Sequence, residues 1–310
     1  MDEPEARITT IAARDPDRAR HFAAFAGIPS VLDSYEAVIS SDQVDAVYIP
    51  LPITAHHQWT IAALNAGKHV LCEKSFAANA DEAAEMASVA EAQGKVLMDA
   101  FHYRYHPIFL RAREIVTSGM LGDLREIDAC FHVPGNGIGP DDIRKRYDQG
   151  GGVTMDIGCY PISWIRHITG QEPRIESARV EVGPPNVDLM LAADWSFPGG
   201  VIAHTSGDMR DNQPFRAELT VRGHQGTLVV RNPLVPQNGH LIELTLGGKT
   251  EYETRDRRPS YGYQLDAFLA AVNEGVPPLT GPTDAIRQMQ AIDSCYDAVG
   301  LPRRGLAQSG

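Results

Sequence analysis

The first hundred residues alternate between short apolar runs and longer segments of mixed polarity. The apolar runs are rich in β-branched residues and predict strands over residues 8–13, 44–50, 68–72 and 96–101. The segments between them predict helices over residues 16–26, 55–66 and 79–93. Pro16 suits a first helical turn, and Gly67 and Gly94 suit helix ends. This alternation predicts a parallel sheet with helices on both faces.

The second half of the chain is dominated by strand-like runs separated by glycine-containing turns. These runs cover residues 124–133, 174–183, 187–197, 201–208, 217–221, 226–230 and 241–246. Turn signals such as Pro198-Gly199-Gly200 favour hairpins, so we expect a large, mostly antiparallel sheet. Two further helices are predicted, over residues 263–273 and 283–299. The change of pattern divides the chain into an α/β domain, residues 1–103, and an α+β domain, residues 104–310.

Composition is that of a globular protein and argues against several other classes of protein. Apolar residues make up 43 % of the 310 positions, which is ample for a large core. The formal charge is -12 and the basic residues are scattered, which argues against nucleic-acid binding. No run of 18 or more apolar residues is present, so no membrane span is expected. The four cysteines form no C-x-x-C pair, and a reduced, cytoplasmic setting is predicted.

The strongest candidate chemistry lies where the run 68–72 ends. Glu73 and Lys74 follow that strand directly, and ligands of open α/β sheets bind outside the carboxyl ends of the strands. The alternative is an ordinary solvated pair, because charged side chains are mostly surface residues.

A second segment strengthens the case for chemistry. Gly150, Gly151 and Gly152 allow a tight turn, and Asp156 and Tyr160 follow at helical spacing, which directs both to one face. A lysine, an aspartate and a tyrosine that converge can handle the proton of an alcohol. The alternative is a buried tyrosine with an aspartate as a local hydrogen-bond acceptor.

The two segments together resemble the glucose-fructose oxidoreductase / inositol dehydrogenase / MocA family over about residues 6–304. Glu73-Lys74-Ser75 is similar to its Glu-Lys-Pro motif, with serine in place of proline, and Asp156 and Tyr160 match its catalytic helix. The resemblance implies catalytic roles for Lys74, Asp156 and Tyr160. It also implies a Rossmann-like first domain and a homo-oligomer, with a dimer formed through the open face of the second sheet. Tyrosine at position 160 resembles the branch with dihydrodiol dehydrogenases and NADP-dependent aldose dehydrogenases.

The sequence departs from this family at its amino terminus. A dinucleotide-binding domain normally opens with a strand, a G-x-G-x-x-G loop and a helix whose N-terminus holds the pyrophosphate. The chain has no such motif, and residues 8–13 correspond to the family's second strand. We therefore expect the first strand and the glycine-rich loop, roughly thirty residues in all, to be missing. Either the start codon was assigned too late, or the gene product is short.

Other candidate cofactor residues follow the predicted strands. Arg14 stands where an acidic residue would select NAD, so NADP is preferred and NAD remains possible; the alternative is a surface arginine before a helix. Pro50, Pro52 and His56 resemble the family's Pro-Asn-x-x-His loop, and Glu73 and Lys74 adjoin it. Arg104, in a segment that resembles Asn-x-Arg-Phe/Tyr-x-Pro, is expected beside the nicotinamide or the substrate.

Substrate contacts are expected from Tyr103, Arg144 and Arg146, together with Asp156 and Tyr160; the arginines could instead belong to an exposed charged loop. The histidines form no closed ligand set, so no metal is expected.

These observations predict an NADP-preferring oxidoreductase that transfers a hydride between nicotinamide and a sugar or polyol carbinol carbon. Two alternatives stay open. One is a non-catalytic binding or regulatory protein with the same fold, favoured by the missing glycine loop and by Ser75. The other is a dihydrodiol-type dehydrogenase.

Overall fold

The computed structural model describes residues 6–305. The helices are α1 (Pro16–Ala26), α2 (Tyr35–Ile39), α3 (His56–Asn65), α4 (Ala80–Gln93), α5 (Pro107–Thr117), α6 (Cys159–Thr169), α7 (Ser260–Glu274) and α8 (Pro282–Ala298). The strands are β1 (Thr10–Ile11), β2 (Ser30–Val31), β3 (Ala46–Ile49), β4 (His69–Cys72), β5 (Leu97–Asp99), β6 (Leu124–His132), β7 (Arg174–Val182), β8 (Asp188–Ser196), β9 (Ile202–Asp208), β10 (Arg216–Gly223), β11 (Gly226–Arg231), β12 (Leu241–Leu246) and β13 (Lys249–Glu253). None of the described helices is both long enough and apolar enough to cross a bilayer.

The N-terminal half has the predicted alternation of parallel strands and helices. β1 pairs with β2, and β3, β4 and β5 form a second parallel sheet in that order. Within residues 6–305, no strand joins these two sheets. The first strand, β1, is shorter than predicted. The strand β2 and the helix α2 were not predicted, because a strand of two residues and a helix of five are too short to show a periodic pattern of apolar residues. Helix ends follow the sequence signals: Asp15 caps α1, and Gly27 ends it in the left-handed conformation.

The C-terminal half contains the predicted large sheet. Its eight strands lie in the order β13-β12-β11-β10-β6-β9-β8-β7, and only the pair β6–β9 is parallel. Helix α6 packs against β6 and β9 and contacts α5 and α8. Trp164 of α6 and Trp195 of β8 are fully buried in the core between these layers. The predicted fold class, a parallel α/β part followed by a mostly antiparallel sheet, is confirmed; β13 and α5 were not predicted.

The end of the C-terminal half packs against the helix that follows β4. Helix α8 packs against α4, and its Asp293 accepts a hydrogen bond from the backbone N–H of Ala80 (3.0 Å). The side-chain amide of Asn79, which caps α4, donates to the carbonyl of Arg304 (3.0 Å). The last described residues therefore return to the helix that follows β4.

Candidate active site

A cleft of about 330 Å³ opens at the carboxyl ends of β3 and β4. Pro50 follows β3 and Glu73 follows β4, so both parallel strands deliver their next residues to its floor. The opposite wall comes from the loop before α6. The lining residues are Tyr48, Pro50, Leu51, Pro52, Ile53, Glu73, Lys74, Ile143, Arg144, Gln149, Gly150, Gly151, Gly152, Asp156 and Tyr261.

Three charged side chains form a continuous chain across the cleft. The Nζ of Lys74 donates to the carbonyl of Asp156 (2.8 Å) and to its Oδ1 (3.0 Å). The Nε of Arg144 donates to Oδ2 of the same carboxylate (2.7 Å). Burial favours the neutral amine of Lys74, but the neighbouring Asp156 carboxylate outweighs it and raises the pKa of this lysine. Burial likewise opposes the charge on Asp156, and the two cations overcome it and lower the pKa of that carboxyl. Both groups are therefore charged at neutral pH.

Tyr160 lies directly behind this charged chain. Its ring centroid is 5.6 Å from Nζ of Lys74. Only 6 % of the surface of Tyr160 is exposed to solvent. Burial raises the pKa of Tyr160 well above its usual range, with further contributions from Cys159 and Glu73. The phenol is therefore undissociated at neutral pH and can donate a proton.

The segment that carries Asp156 is a π-helical turn, Thr154–Gly158, which continues directly into α6. The sequence spacing predicted an ordinary helical turn with Asp156 and Tyr160 stacked on one face. The wider turn leaves Asp156 at the cleft while Tyr160 enters the core. Such turns are frequent at functional sites because they redirect one side chain without ending the helix.

A buried ion pair holds the glycine segment in place. Asp188 accepts from the backbone N–H and the hydroxyl of Thr154 (2.8 and 2.6 Å) and from Arg304 (2.7 Å). Arg304 also donates to the carbonyl of Gly151 (2.7 Å). Gly152 has φ +131°, and a Cβ there would collide with the Asp188 carboxylate and the Arg304 guanidinium. Glycine is therefore required for the loop to approach this pair so closely.

Two residues connect the loop after β3 to the turn after β4. His56 is fully buried, with Nε2 at 2.8 Å from the carbonyl of Leu51 and Nδ1 at 3.0 Å from that of Ser75. The Lys74–Ser75 peptide bond is cis. The Ser75 hydroxyl donates to the carbonyl of Met155 (2.9 Å), so serine here contacts the π-helical turn directly.

The structure brings together six of the residues singled out in the sequence. These cleft-lining residues are Pro50, Pro52, Glu73, Lys74, Arg144 and Asp156, with Tyr160 adjacent to them.

Five others lie elsewhere. His56 stands behind the cleft, and Tyr103 is buried with its hydroxyl 2.7 Å from Ser163. Arg146 is half exposed and pairs with Asp148 in the loop. Arg104 is buried, and its Nε and Nη1 find no hydrogen-bond partner among residues 6–305. Arg14 is exposed just after β1. The lining of the cleft therefore includes the predicted residues that follow β3 and β4 and does not include these five.

Three aromatic residues of the site were not assigned to it from the sequence. Tyr48 donates from its hydroxyl to Glu73 (2.6 Å), and Tyr261, from the first turn of α7, lines the cleft mouth. His102 stacks on Tyr261, with ring centroids 4.3 Å apart, and reaches Tyr160. No local pattern identifies these residues, because α7 is separated from β4 by nearly two hundred positions.

Residues 1–101 match the family model "Oxidoreductase family, NAD-binding Rossmann fold", and residues 109–229 match the "GFO/IDH/MocA C-terminal domain".

Three known proteins illustrate the similarity. The D-xylose 1-dehydrogenase (NADP(+)) 2 of Haloferax volcanii is 35 % identical over 300 residues, which cover 95 % of this chain and 90 % of that protein. Mouse trans-1,2-dihydrobenzene-1,2-diol dehydrogenase is 32 % identical over 255 residues, covering 80 % and 72 %. A solved 3-ketoreductase from Actinomadura kijaniata, in complex with NADP and TDP-benzene, superposes with a TM-score of 0.87 at 28 % identity, covering 96 % and 91 %.

Proposed function

The chain belongs to the Gfo/Idh/MocA family of oxidoreductases, and on this premise we propose that it transfers a hydride between NADP and the carbinol carbon of a sugar or polyol. One observation carries the proposal most directly: Lys74 and Asp156 form an ion pair in the cleft, with the undissociated phenol of Tyr160 beside it. A non-catalytic member of the family is not favoured, because the relatives are named as dehydrogenases and reductases.

The residues of the cleft fit the nicotinamide end of the cofactor. Pro50 and Pro52 supply an apolar wall, and Glu73 and Lys74 supply polar groups at the strand ends where such ligands bind. When bound, the nicotinamide supplies or accepts the hydride. Arg14, exposed and without a hydrogen-bond or ion-pair partner in the described part of the chain, is proposed to contact the 2′-phosphate that distinguishes NADP from NAD.

The protein's own side chains handle the proton. When a carbonyl is reduced, Tyr160 donates its proton to the substrate oxygen, and the charge of Lys74 stabilises the phenolate that remains. When an alcohol is oxidised, that phenolate takes the proton back from the substrate hydroxyl. Asp156 holds Lys74 in position by two contacts and is itself fixed by Arg144. Arg144 and Asp156 also present unused hydrogen-bonding capacity to the cleft.

The polarity of the lining supports a polyhydroxylated substrate. Arg144, Gln149 and Asp156 stand on one side of the cleft and Glu73 on the other, which suits several hydroxyl groups. An aromatic diol has only two hydroxyl groups and would use fewer of these hydrogen-bonding groups than a polyol.

The test of this function is the variant Tyr160→Phe. Turnover of NADP⁺ with D-xylose, D-glucose and myo-inositol is measured by NADPH absorbance, beside trans-dihydrobenzenediol as the competing substrate. We expect loss of the hydroxyl to reduce kcat by about 10²-fold or more on the sugar or polyol that the protein oxidises. Tyr252→Phe on exposed β13 is the matched control and should behave as wild type. Equal turnover by both variants would contradict the assignment of Tyr160.

Cofactor choice is tested separately with Arg14→Asp. This change places a carboxylate where the 2′-phosphate is proposed to bind, so NADPH should bind about tenfold or more weakly while NADH binding changes little. Fluorescence titration with both cofactors measures the two affinities. Arg20→Asp, at an exposed position of α1, controls for the change in net charge. An equal effect on NADPH and NADH would refute the role of Arg14.

We also propose a homodimer formed through the open face of the large sheet. That face carries a polar groove of about 420 Å³ on β6, β8, β9 and β10, with acidic and basic side chains alternating across it. Arg222 contacts both Glu126 and Asp128, and His204 lies 2.7 Å from Asp194. A self-complementary pattern of charge suits a two-fold interface.

All four cysteines are free thiols, which supports a reducing compartment such as the cytoplasm.

A further inference from the structure

His102 connects the catalytic tyrosine to the C-terminal half of the molecule. It begins the short helical turn that follows β5, and its residue surface is only 4 % exposed. One ring nitrogen, Nε2, lies 3.5 Å from the hydroxyl of Tyr160. The other, Nδ1, lies 2.7 Å from the hydroxyl of Ser260, in the first turn of α7. The ring is held flat by its stack against Tyr261.

The distances indicate the direction of these hydrogen bonds. The Ser260 hydroxyl has one proton and two acceptors in reach, Nδ1 of His102 at 2.7 Å and the carbonyl of Leu234 at 3.2 Å. The 2.7 Å contact has the length of a bond donated by a hydroxyl, so Ser260 donates to Nδ1. A neutral imidazole that accepts at Nδ1 carries its proton on Nε2 and donates a hydrogen bond to the oxygen of Tyr160. The chain therefore runs from Ser260 to His102 to Tyr160, and the phenol keeps its own proton for the substrate.

We propose that His102 is a positioning residue, which donates a hydrogen bond to the oxygen of Tyr160 and so leaves the proton of the phenol directed at the substrate. The inference rests on the proposed function, because it gives Tyr160 the proton-handling role. Nδ1 accepts from Ser260 and Nε2 already carries the proton of the neutral imidazole, so His102 orients the phenol and does not remove its proton. Burial, with Lys74 and His106 nearby, lowers the pKa of His102 to about 3, and the imidazole is neutral in the working range.

The distance of 3.5 Å between Nε2 of His102 and the hydroxyl of Tyr160 is long for a hydrogen bond. Such long contacts are common in active sites without bound substrate. Tyr160 is otherwise surrounded by rings: Phe101, Tyr103, Phe131 and Trp164 pack around it and offer its hydroxyl no hydrogen-bond partner of comparable strength. Among the described residues, His102 is the one side chain in hydrogen-bonding reach of that hydroxyl. Loss of this contact would let the phenol turn, and small misplacements of a reacting group are costly.

Two isosteric variants separate the two ring nitrogens. His102→Gln places an amide near the position of Nε2 and retains an N–H donor for Tyr160. His102→Asn places it near Nδ1 and retains only a partner for Ser260. With D-xylose and NADP⁺, we expect His102→Asn to lower kcat about tenfold with unchanged KM for NADP⁺. His102→Gln should stay within about threefold of wild type.

A double-mutant cycle shows whether the effect passes through Tyr160. In the Tyr160→Phe background, where the hydroxyl is absent, His102→Asn should cause no further loss of kcat. Ser260→Ala, which frees the imidazole tautomer, should lower kcat a few-fold in wild type and not in Tyr160→Phe. This variant keeps the test available if His102→Asn fails to fold, which circular dichroism and NADPH fluorescence would show.

The outcomes distinguish this inference from the proposed function. If Tyr160→Phe retains full turnover, both fall together. If Tyr160→Phe loses turnover but His102→Asn does not, only the positioning role is overturned. Equal losses in His102→Asn and His102→Gln, or the same loss in the Tyr160→Phe background, would also overturn it, because a merely structural role would give those results.

Discussion

At the residue scale, the buried carboxyl groups of this protein differ in whether a cation reaches them. Asp156 lies between Lys74 and Arg144, and Asp188 contacts Arg304. Asp293 accepts one backbone hydrogen bond, and its nearest cation, on Arg303, is 3.7 Å away. Burial therefore dominates at Asp293 and raises its pKa to about 6. Pairing, rather than depth alone, decides the protonation state.

The raised pKa of Asp293 predicts a dependence of stability on pH. The folded state holds the proton more tightly than the unfolded state, in which the carboxyl has its ordinary pKa of 3.8. The stabilising contribution is therefore complete below about pH 4 and is lost as pH rises through about 6. Asp293→Asn removes this loss while its amide oxygen still accepts from Ala80. Thermal unfolding should show the variant more stable than wild type at pH 7.5, by roughly 1 to 3 kcal/mol, and not at pH 4.

Asp297, one turn later on α8, provides the control. It is half exposed, and hydrogen bonds from Arg303 lower its pKa. Asp297→Asn should give no gain in stability at pH 7.5. A gain as large as that of Asp293→Asn would show that reduced surface charge, not the buried carboxyl, is responsible.

At the scale of elements, the sequence predicted what is periodic and missed what is short or irregular. Strand–helix alternation predicted β3, β4 and β5 with the helices between them, and so placed Glu73 and Lys74 at a strand end. It could not reveal that Thr154–Gly158 is a π-helical turn, because no residue pattern marks an i→i+5 hydrogen bond. His102 and Tyr261 reach the site only through tertiary packing of α7 against the turn after β5. The chemistry was therefore visible locally, whereas its surroundings were not.

The glycine segment before the π-helical turn gives a prediction at this scale. Gly152→Ala forces a side chain towards the Asp188–Arg304 pair and requires a strained φ. We expect destabilisation of about 3 kcal/mol, since strain and overpacking both contribute. Differential scanning calorimetry should show a fall of several degrees in Tm. Gly139→Ala is the control, because nothing lies within 4 Å of a Cβ there. Similar Tm values for the two variants would refute the close approach of Gly152 to the Asp188–Arg304 pair.

At the scale of the whole molecule, the two faces of the large sheet differ in chemistry. One face packs against α6 and the core, while the other carries the charged groove that contains Asp128, Asp194, His204, Arg216 and Arg222. Glu126, Asp128 and His204 come close enough to resemble a metal site, but Arg222 already contacts both carboxylates. Charge balance within the groove suits association with a second copy better than with a ligand of one sign.

If the charged groove is the dimer interface, a substitution within it should produce a monomer. Arg222→Glu places a third carboxylate beside Glu126 and Asp128, and in a two-fold dimer the repulsion is present twice. Light scattering after size-exclusion chromatography should show a dimer for wild type and a shift towards monomer for Arg222→Glu. Arg20→Glu on α1 carries the same charge change outside the sheet and should leave the mass unchanged. A dimer of unaltered stability in Arg222→Glu would place the interface elsewhere.

The hydrogen bond from Arg304 to the carbonyl of Gly151 also implies an order in which parts of the site can form during synthesis. Arg304 is made about 150 positions after Gly151, whose carbonyl it binds, and it completes the partners of Asp188. A nascent chain can thus form β4, which Glu73 and Lys74 follow, long before Asp156 is held beside them. Activity should begin only when the last turn after α8 has left the ribosome and docked.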